Sequence, residues 1–162
     1  AGLGEAPVTL LLVGDGPARP ALEEQTAALG LAAPAVVFAG MAAPETVPLY
    51  YRLGDVFVSA SSSETQGLTY LEALAAGTPA VCRADPCLAG VIENGVNGWQ
   101  YETGRERDEV LHRLLADEPL RAQLARGAAA SAAAFSEEAF GEKALALYEA
   151  QRAAKARQGG AV

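Results

Sequence analysis

The stretch that decides the fold is "DVFVSASSSETQGLTYLEALAAGTPAVCR", residues 55–83. Its two ends are short apolar segments of the kind that form buried strands in a parallel sheet, and its middle has the Leu- and Ala-rich composition of a helix. A strand, a loop, a helix and a second strand in this order form the repeating unit of α/β proteins. Within the unit, Glu72 is the only charged residue between Glu64 and Arg83. A carboxylate in such apolar surroundings needs a partner, because burying it alone is costly.

The same alternation of strand and helix continues on both sides of this stretch. Upstream, residues 8–14 ("VTLLLVG") and 35–40 ("AVVFAG") predict two further buried strands, and the helix between them ends at Gly30. A short helix is predicted over 43–54, and two Asn-Gly turns downstream predict a short fifth strand at about 98–101. We therefore predict an α/β fold, a parallel sheet with helices on both faces.

The last third of the chain is predicted to be helical, over residues 105–157. The final helix of this part begins at Ser136, an N-cap residue followed by two acidic residues. A length of 162 residues suffices for one domain with a sizeable core, so we predict a single domain over 1–162. The chain has no initiator Met and reaches a strand within ten residues, which we interpret as the start of a fragment of a larger protein, although processing would give the same start.

Composition excludes several classes of function. A formal net charge of −8 argues against binding to nucleic acid or to anionic lipid by electrostatic attraction. No apolar run approaches the roughly 20 residues of a membrane span, and no signal peptide is recognisable, so we expect a cytoplasmic protein. Cys82 and Cys87 are interpreted as ordinary reduced cysteines, because the only histidine, His112, lies far along the chain and a zinc site needs more ligands.

Three loops lie where an open parallel sheet binds ligands, beyond the C-terminal ends of its strands. The loop at 14–17 ("GDGP") is equally consistent with a tight turn and with a binding loop, since it lacks the third glycine of a dinucleotide fingerprint. The loop at 39–45 ("AGMAAPE") contains nothing chemically special. The third loop leads into a helix that begins at Gly67, and the backbone N–H groups of residues 67–69 are expected to bind a phosphate or a sugar oxygen.

Glu72 lies one and a half turns into this third helix. Residues 68, 71, 72 and 75 form an i, i+3, i+4, i+7 stripe, which we expect to face the sheet. The carboxylate either pairs with an arginine or caps a backbone group, or it accepts hydrogen bonds from ligand hydroxyls together with Glu64. Phosphate bound by amides and hydroxyls bound by carboxylates would be typical of a nucleotide-sugar site.

Four segments occur in the order of a known family. They are "LLLVGDGP", "VVFAG", "LYYRLGDVFVSASSSETQGLTYLEALAAGTPAV" and "VIENGVNGWQY", which together span about residues 8–101. This set resembles the retaining glycosyltransferases of the GT-B fold, family 4, in which Glu64 and Glu72 match the E-x7-E motif. The segment "ETQGLTYLEA" (residues 64–73) is similar to the corresponding segment in the bacterial diacylglycerol glucosyltransferase branch. The resemblance implies a Rossmann-like domain, one half of a GT-B fold, with C-terminal helices.

The resemblance also implies the roles of individual residues. Glu64 would contact the donor hexose beside the reacting centre, as the catalytic residue, and Glu72 would bind the ribose hydroxyls. The backbone groups expected to hold the hexose and the diphosphate are those of Gln66, Gly67, Leu68 and Thr69. Met41 would lie against the base, and Gly14 would line the same cleft.

The activity implied is transfer of a hexose, from a UDP- or GDP-hexose to a lipid or saccharide acceptor, with retention of anomeric configuration. No metal or other cofactor is expected. The N-terminal acceptor domain and the Arg and Lys that neutralise the diphosphate would precede this chain, so we predict that it is inactive alone. The complete enzyme is expected in the cytoplasm, with peripheral binding to the inner face of the membrane as an option.

Two alternatives stay open. A GT-B relative that is not a transferase, such as a sugar-nucleotide epimerase, would share the same donor site; a phosphorylase would need a lysine that the core lacks. A nucleotide-binding or receiver-like module without catalysis is the other class. A receiver would need several acids at the end of its first strand and a late lysine, whereas Asp15 stands alone and the two lysines, Lys143 and Lys155, lie near the C-terminus.

Overall fold

The computed structural model describes residues 8–31, 33–62 and 67–159, the last four of these by their backbone alone. Its strands are β1 (Leu10–Val13), β2 (Val36–Gly40), β3 (Phe57–Ser59), β4 (Ala80–Arg83) and β5 (Gly98–Tyr101). Its α-helices are α1 (Arg19–Ala28), α2 (Val47–Leu53), α3 (Leu68–Ala75), α4 (Gly104–Ala116), α5 (Glu118–Ala132) and α6 (Glu137–Gly159). Short 3-10 helices occupy Pro44–Thr46, Pro86–Leu88 and Ala133–Phe135.

Local sequence signals define several helix ends. Gly30 follows α1 with a φ of +70°, a backbone conformation that glycine adopts without strain. Thr103 and Glu106 form a capping box at the start of α4. The hydroxyl of Ser136 accepts a hydrogen bond from the Ala139 N–H at 3.2 Å, which confirms the N-cap predicted for α6.

All strand pairs of the described residues are parallel, which confirms the predicted α/β class. The hydrogen-bonded ladders form two groups: β1 pairs with β2, and β4 lies between β3 and β5. The fifth strand lies where the Asn-Gly turns placed it. The short helix expected over 43–54 consists of the 3-10 turn at Pro44–Thr46 followed by α2.

The core is centred on β4, whose side chains alternate between two buried clusters. Ala80 and Cys82 belong to one cluster, with residues of α3 and α5 and of the segment between β4 and β5. Val81 belongs to the other, with residues of β5, α4 and α5. The β3–β4–β5 sheet therefore has helices packed on both faces, as expected.

The outer strands are less buried than their sequences suggested. Leu10 and Val13 in β1 are 49% and 42% exposed, and Val58 in β3 is 41% exposed, although these are apolar residues within predicted strands. In the described part of the chain each of these strands has a hydrogen-bonded neighbour on one edge. The prediction of a buried strand was therefore wrong for β1, and β3 too is only partly buried.

The face of α3 that packs into the core is not the predicted one. The buried residues are Tyr70, Ala73 and Leu74, whereas Leu68 is 58% exposed and Glu72 is exposed. Two stripes on this helix have the same i, i+3, i+4 spacing, so periodicity alone does not separate them. Burying the face with Tyr70 removes a large aromatic ring from water and leaves the carboxylate of Glu72 solvated, which costs less than burying it.

No helix in the described part of the chain combines the length and the apolar character that a membrane span requires.

Candidate functional site

Gly67 begins the site at the N-terminus of α3. It has a φ of +63°, in the left-handed region, and a Cβ at this position would lie 3.2 Å from the side chains of Tyr70 and Leu88. Both the backbone conformation and the lack of space therefore favour glycine. Leu68 and Thr69, the first residues of the helix, have exposed side chains. The helix thus starts at Gly67, as predicted, whereas the exposure of Leu68 differs from the prediction that its side chain faces the sheet.

The N-terminus of α3 presents backbone N–H groups rather than side-chain caps, as far as the described residues go. Among the described residues no side chain caps this helix, and its first turn contains no acidic residue. The carbonyl of Gly67 already accepts the N–H of Tyr70 at 3.0 Å. The first N–H groups of a helix have no intrahelical partner, and they attract anions through the helix dipole. Glu64 and Gln66, to which catalytic and hexose-binding roles were assigned, lie outside the described residues, so their roles stay predictions.

Glu72 has a partner that the sequence did not indicate. The hydroxyl of Tyr51, in α2, donates a hydrogen bond to Oε2 of Glu72 at 3.0 Å. The alternative partners considered from the sequence were an arginine or a backbone group, and the structure shows a phenol instead. Burial of Tyr51, together with the hydrogen bond and the negative charge of Glu72, raises the pKa of the phenol above its usual value, so it remains a donor at neutral pH.

Tyr51 is held by two contacts, one to its backbone and one to its ring. Its backbone carbonyl accepts a hydrogen bond from the hydroxyl of Thr78 at 2.7 Å, and Thr78 is buried. Its ring packs edge-on against Phe57 with a centroid distance of 5.4 Å, and Phe57 packs edge-on against Tyr70 at 5.7 Å. Three aromatic rings therefore connect α2, β3 and α3, and the first of them carries the hydroxyl that donates to Glu72.

The C-terminal end of β3 is fixed by two further tyrosines. The hydroxyl of Tyr70 donates to the hydroxyl of Ser59 at 2.9 Å, and the hydroxyl of Tyr101 donates to the carbonyl of Ser59 at 3.1 Å. Ser59 is the last residue of β3. The point where the chain leaves the sheet toward Glu64 is thus tied to both α3 and β5.

The other two candidate residues lie at the ends of β1 and β2. The N–H of Gly14 donates to the carbonyl of Gly40 at 2.8 Å, and Met41 follows directly with 76% of its surface exposed. Gly14 and Met41 are therefore brought to one end of the β1–β2 sheet, whereas Glu72 is in α3, which packs against β4 of the other sheet. The predicted base contact of Met41 stays a prediction.

The same edge contains a cation that sequence reasoning missed. Arg19 forms ion pairs with Asp15 at 3.3 Å and Glu23 at 2.7 Å, and its guanidinium lies over the ring of Phe38, 5.9 Å from the centroid. A Cβ added to Gly40 would be 3.3 Å from Nη1 of Arg19. The i, i+4 spacing of the charges in α1 was the signal that could have located this arginine.

Cys82 is buried in the core. Burial, with the neighbouring Cys87, raises the pKa of its thiol to about 12. Its Sγ lies 3.8 Å from the carbonyl of Trp99. Across the described ranges no three or more His, Cys, Asp or Glu side chains cluster in a way that would hold a metal ion.

A parallel α/β domain with helices on both faces of its sheet is Rossmann-like, and the comparisons with known proteins identify it as a domain of the GT-B type. The chain belongs to the family described as glycosyl transferases group 1, whose model matches residues 4–131. The resemblance to family 4 glycosyltransferases stated from the sequence motifs is thus confirmed.

Individual relatives agree with the family. The chain is 46% identical over 97 residues to an alpha-monoglucosyldiacylglycerol synthase of Streptococcus pneumoniae, covering 60% of this chain and 22% of that protein. It is 32% identical over 138 residues to the synthase of the same name from Acholeplasma laidlawii, covering 85% of this chain and 34% of that one. The chain therefore spans about a fifth to a third of the length of these curated relatives.

A solved structure with a similar fold is that of Anabaena HepE in complex with UDP and glucose. It superposes with a TM-score of 0.67 at 28% identity, covering 77% of this chain and 35% of that one.

Proposed function

We propose that this chain is the donor-binding half of a retaining glycosyltransferase, which transfers a hexose from a nucleotide diphosphate sugar to an acceptor. The observation that carries the proposal is the position of Glu72. Its carboxylate is exposed and held by Tyr51, and it stands on the helix whose N-terminus no described side chain caps. An anion-binding helix start and a hydroxyl-binding carboxylate on one helix match the two halves of a nucleotide diphosphate.

In this proposal each part of the donor is bound by a different group of residues, most of them in α3 or directly before it. Glu72 accepts hydrogen bonds from the two ribose hydroxyls, and the amides of Leu68 and Thr69 bind the diphosphate. Gly67 with Gln66 and Leu68 holds hydroxyls of the hexose, and Glu64 lies at the reacting centre. Gly14 and Met41 line the base end of the cleft.

Catalysis would rest on stabilising the leaving diphosphate. Negative charge develops on it as the bond to the sugar breaks, and aligned helix amides stabilise that charge without reorganisation. We propose that no metal ion is needed for this step. The acceptor-binding site and the additional basic side chains would belong to another part of the complete enzyme, so this chain alone would bind the donor without transferring the sugar.

The comparisons narrow the substrates within this proposal. HepE was solved with UDP and glucose, and the two synthases are named for a glucosylated diacylglycerol. UDP-glucose is therefore the first donor to test, and a diacylglycerol-based lipid is the first acceptor class. A lipid acceptor would require the complete enzyme to work at a membrane surface.

Binding of the donor tests this proposal directly. Saturation-transfer NMR with UDP-glucose and GDP-mannose, and phosphorus-31 NMR line broadening with inorganic pyrophosphate, would show which of these ligands the chain binds. We expect UDP-glucose to bind at millimolar concentration or below, with the ribose protons among the most strongly saturated. Binding of pyrophosphate without binding of either nucleotide sugar would contradict the donor-site proposal. Sugar transfer by the chain alone would contradict the proposal that this chain binds the donor but does not catalyse transfer by itself.

A second candidate function is a sugar-nucleotide epimerase or a binding module, which would share the donor site. The complete enzyme distinguishes them. Release of the glycosylated acceptor supports the transferase, whereas conversion of the nucleotide sugar into its epimer without an acceptor supports the alternative.

A further inference from the structure

The side chain of Glu72 would be mobile if it stood alone. A glutamate on an exposed helix face samples several rotamers, and ordering it for a ligand costs conformational entropy. In this structure its Oε2 accepts a hydrogen bond from Tyr51, a residue 21 positions upstream in a different helix. The contact therefore orients the carboxylate before any ligand arrives.

Tyr51 is well suited to orient Glu72 because both its backbone and its ring are held in place. The buried Thr78 hydroxyl holds its backbone carbonyl at 2.7 Å. The Phe57 ring holds its aromatic ring in an edge-on contact at 5.4 Å. The phenol thus projects from two anchored points, and its hydroxyl is the part that reaches Glu72.

The hydrogen bond also leaves Glu72 able to bind a ligand. An ionised carboxylate has about four lone-pair sites on its two oxygens, and one phenol occupies one of them. A pair of neighbouring hydroxyls can still donate to both oxygens at once. Because the phenol of Tyr51 is protonated and neutral, it adds no negative charge beside the carboxylate.

We propose that Tyr51 is a positioning residue for donor recognition, which holds the carboxylate of Glu72 in the orientation that accepts a vicinal diol. This inference rests on the proposed donor-binding function and adds to it a residue outside the E-x7-E motif. The contribution is preorganisation, so its size is that of one ordered side chain, about three- to tenfold in affinity.

The test is the affinity of Tyr51→Phe for UDP and for UDP-glucose by calorimetry. This variant removes the hydroxyl and keeps the ring that packs on Phe57. We expect the dissociation constant to rise about three- to tenfold. The control is Tyr50→Phe in the same helix, for which no change is expected. Thermal unfolding of both variants shows whether the fold is kept.

Two readouts separate positioning from a general packing role. In a Glu72→Gln background, Tyr51→Phe should add little further loss, because the group that it positions has been changed. Tyr51→Phe should also reduce the preference for UDP over 2′,3′-dideoxy-UDP, which lacks the diol, and leave pyrophosphate binding unchanged. Equal losses for all three ligands, or additive losses in the double variant, would overturn the positioning role.

The outcomes also separate this inference from the proposed function. If the unchanged chain binds neither UDP nor UDP-glucose, the donor site is wrong and the role of Tyr51 is wrong with it. If the chain binds both, and Glu72→Gln weakens binding while Tyr51→Phe behaves like Tyr50→Phe, the donor site stands and only the positioning role is contradicted.

Discussion

The hydroxyl of Thr78 donates a hydrogen bond to the backbone carbonyl of Tyr51 at 2.7 Å, across 27 residues of sequence. Thr78 lies between α3 and β4 and is only 3% exposed, so this bond ties α2 to the buried end of the unit that carries Glu72. The same carbonyl also accepts the backbone N–H of Gly54 at 3.1 Å, so the Thr78 hydroxyl supplies its second hydrogen bond at the end of this short helix. The relative placement of α2 and α3, and with it the contact from Tyr51 to Glu72, depends on this bond.

Replacing Thr78 with Val should destabilise the chain by about 0.5–1.5 kcal/mol, because the isosteric methyl removes one of the two hydrogen bonds that the Tyr51 carbonyl accepts. Urea denaturation measures the free energy of unfolding. The matched control is Thr26→Val, since Thr26 also donates to a backbone carbonyl at 2.7 Å, but within one exposed helix. A loss at Thr78 no larger than at Thr26 would show that the long-range bond contributes little.

Replacing Gly127 with Ala should also destabilise the chain, although alanine is the better helix former. Gly127 lies in α5, and an added Cβ would overlap the backbone carbonyl of Val96. Backbone cannot move aside cheaply, so we expect a loss of about 1–3 kcal/mol.

The control for this helix substitution is Gly141→Ala in α6, where nothing lies within 4 Å of the added Cβ. There the helix propensity acts alone and should stabilise the chain by up to about 1 kcal/mol. Thermal unfolding measures both variants. Changes of the same sign at Gly127 and Gly141 would argue against the close approach of α5 to the turn before β5.

The thiol of Cys82 should resist alkylation at pH 8. Its pKa is raised to about 12, chiefly by burial, so the reactive thiolate is scarce in the folded chain. In the unfolded chain the pKa falls back to about 8.5, and the thiol becomes reactive. Because the folded pKa is the higher one, this group favours folding below pH 8.5 and its contribution declines as the pH rises from there toward 12.

Mass spectrometry after iodoacetamide treatment, with and without urea, measures the protection of Cys82. We expect modification of Cys82 in urea and not in buffer at pH 8. Rapid modification in buffer would contradict the burial of β4 at the centre of the core.

The sequence contained enough to predict the parallel α/β class, the start of α6 at Ser136 and the glycine at the start of α3. Each follows from a local rule: apolar strand segments, an N-cap or a left-handed backbone position. The contact between Tyr51 and Glu72 could not be predicted in this way. It arises from the packing of two helices that no spacing rule connects, and it depends on which face of α3 is buried.

That face was the point at which sequence reasoning failed. The stripe containing Leu68 and Leu71 has the same helical spacing as the one containing Tyr70 and Leu74, and only the tertiary packing decides between them. Because the face that contains Glu72 is exposed, its carboxylate is solvated and needs no buried partner to offset a cost of burial. The hydroxyl of Tyr51 donates a hydrogen bond to it.

The most direct test of the central claim is the affinity of UDP-glucose for the chain and for its Glu72→Gln variant, measured by isothermal titration calorimetry. Glutamine keeps the shape and loses the charge, and charge-assisted hydrogen bonds contribute about 1.5–3 kcal/mol, so we predict a loss of about tenfold or more. The matched control is Glu109→Gln, an exposed glutamate that pairs with Arg105 in α4, for which we predict no change. Equal affinities of Glu72→Gln and Glu109→Gln would contradict the assignment of Glu72 to the donor.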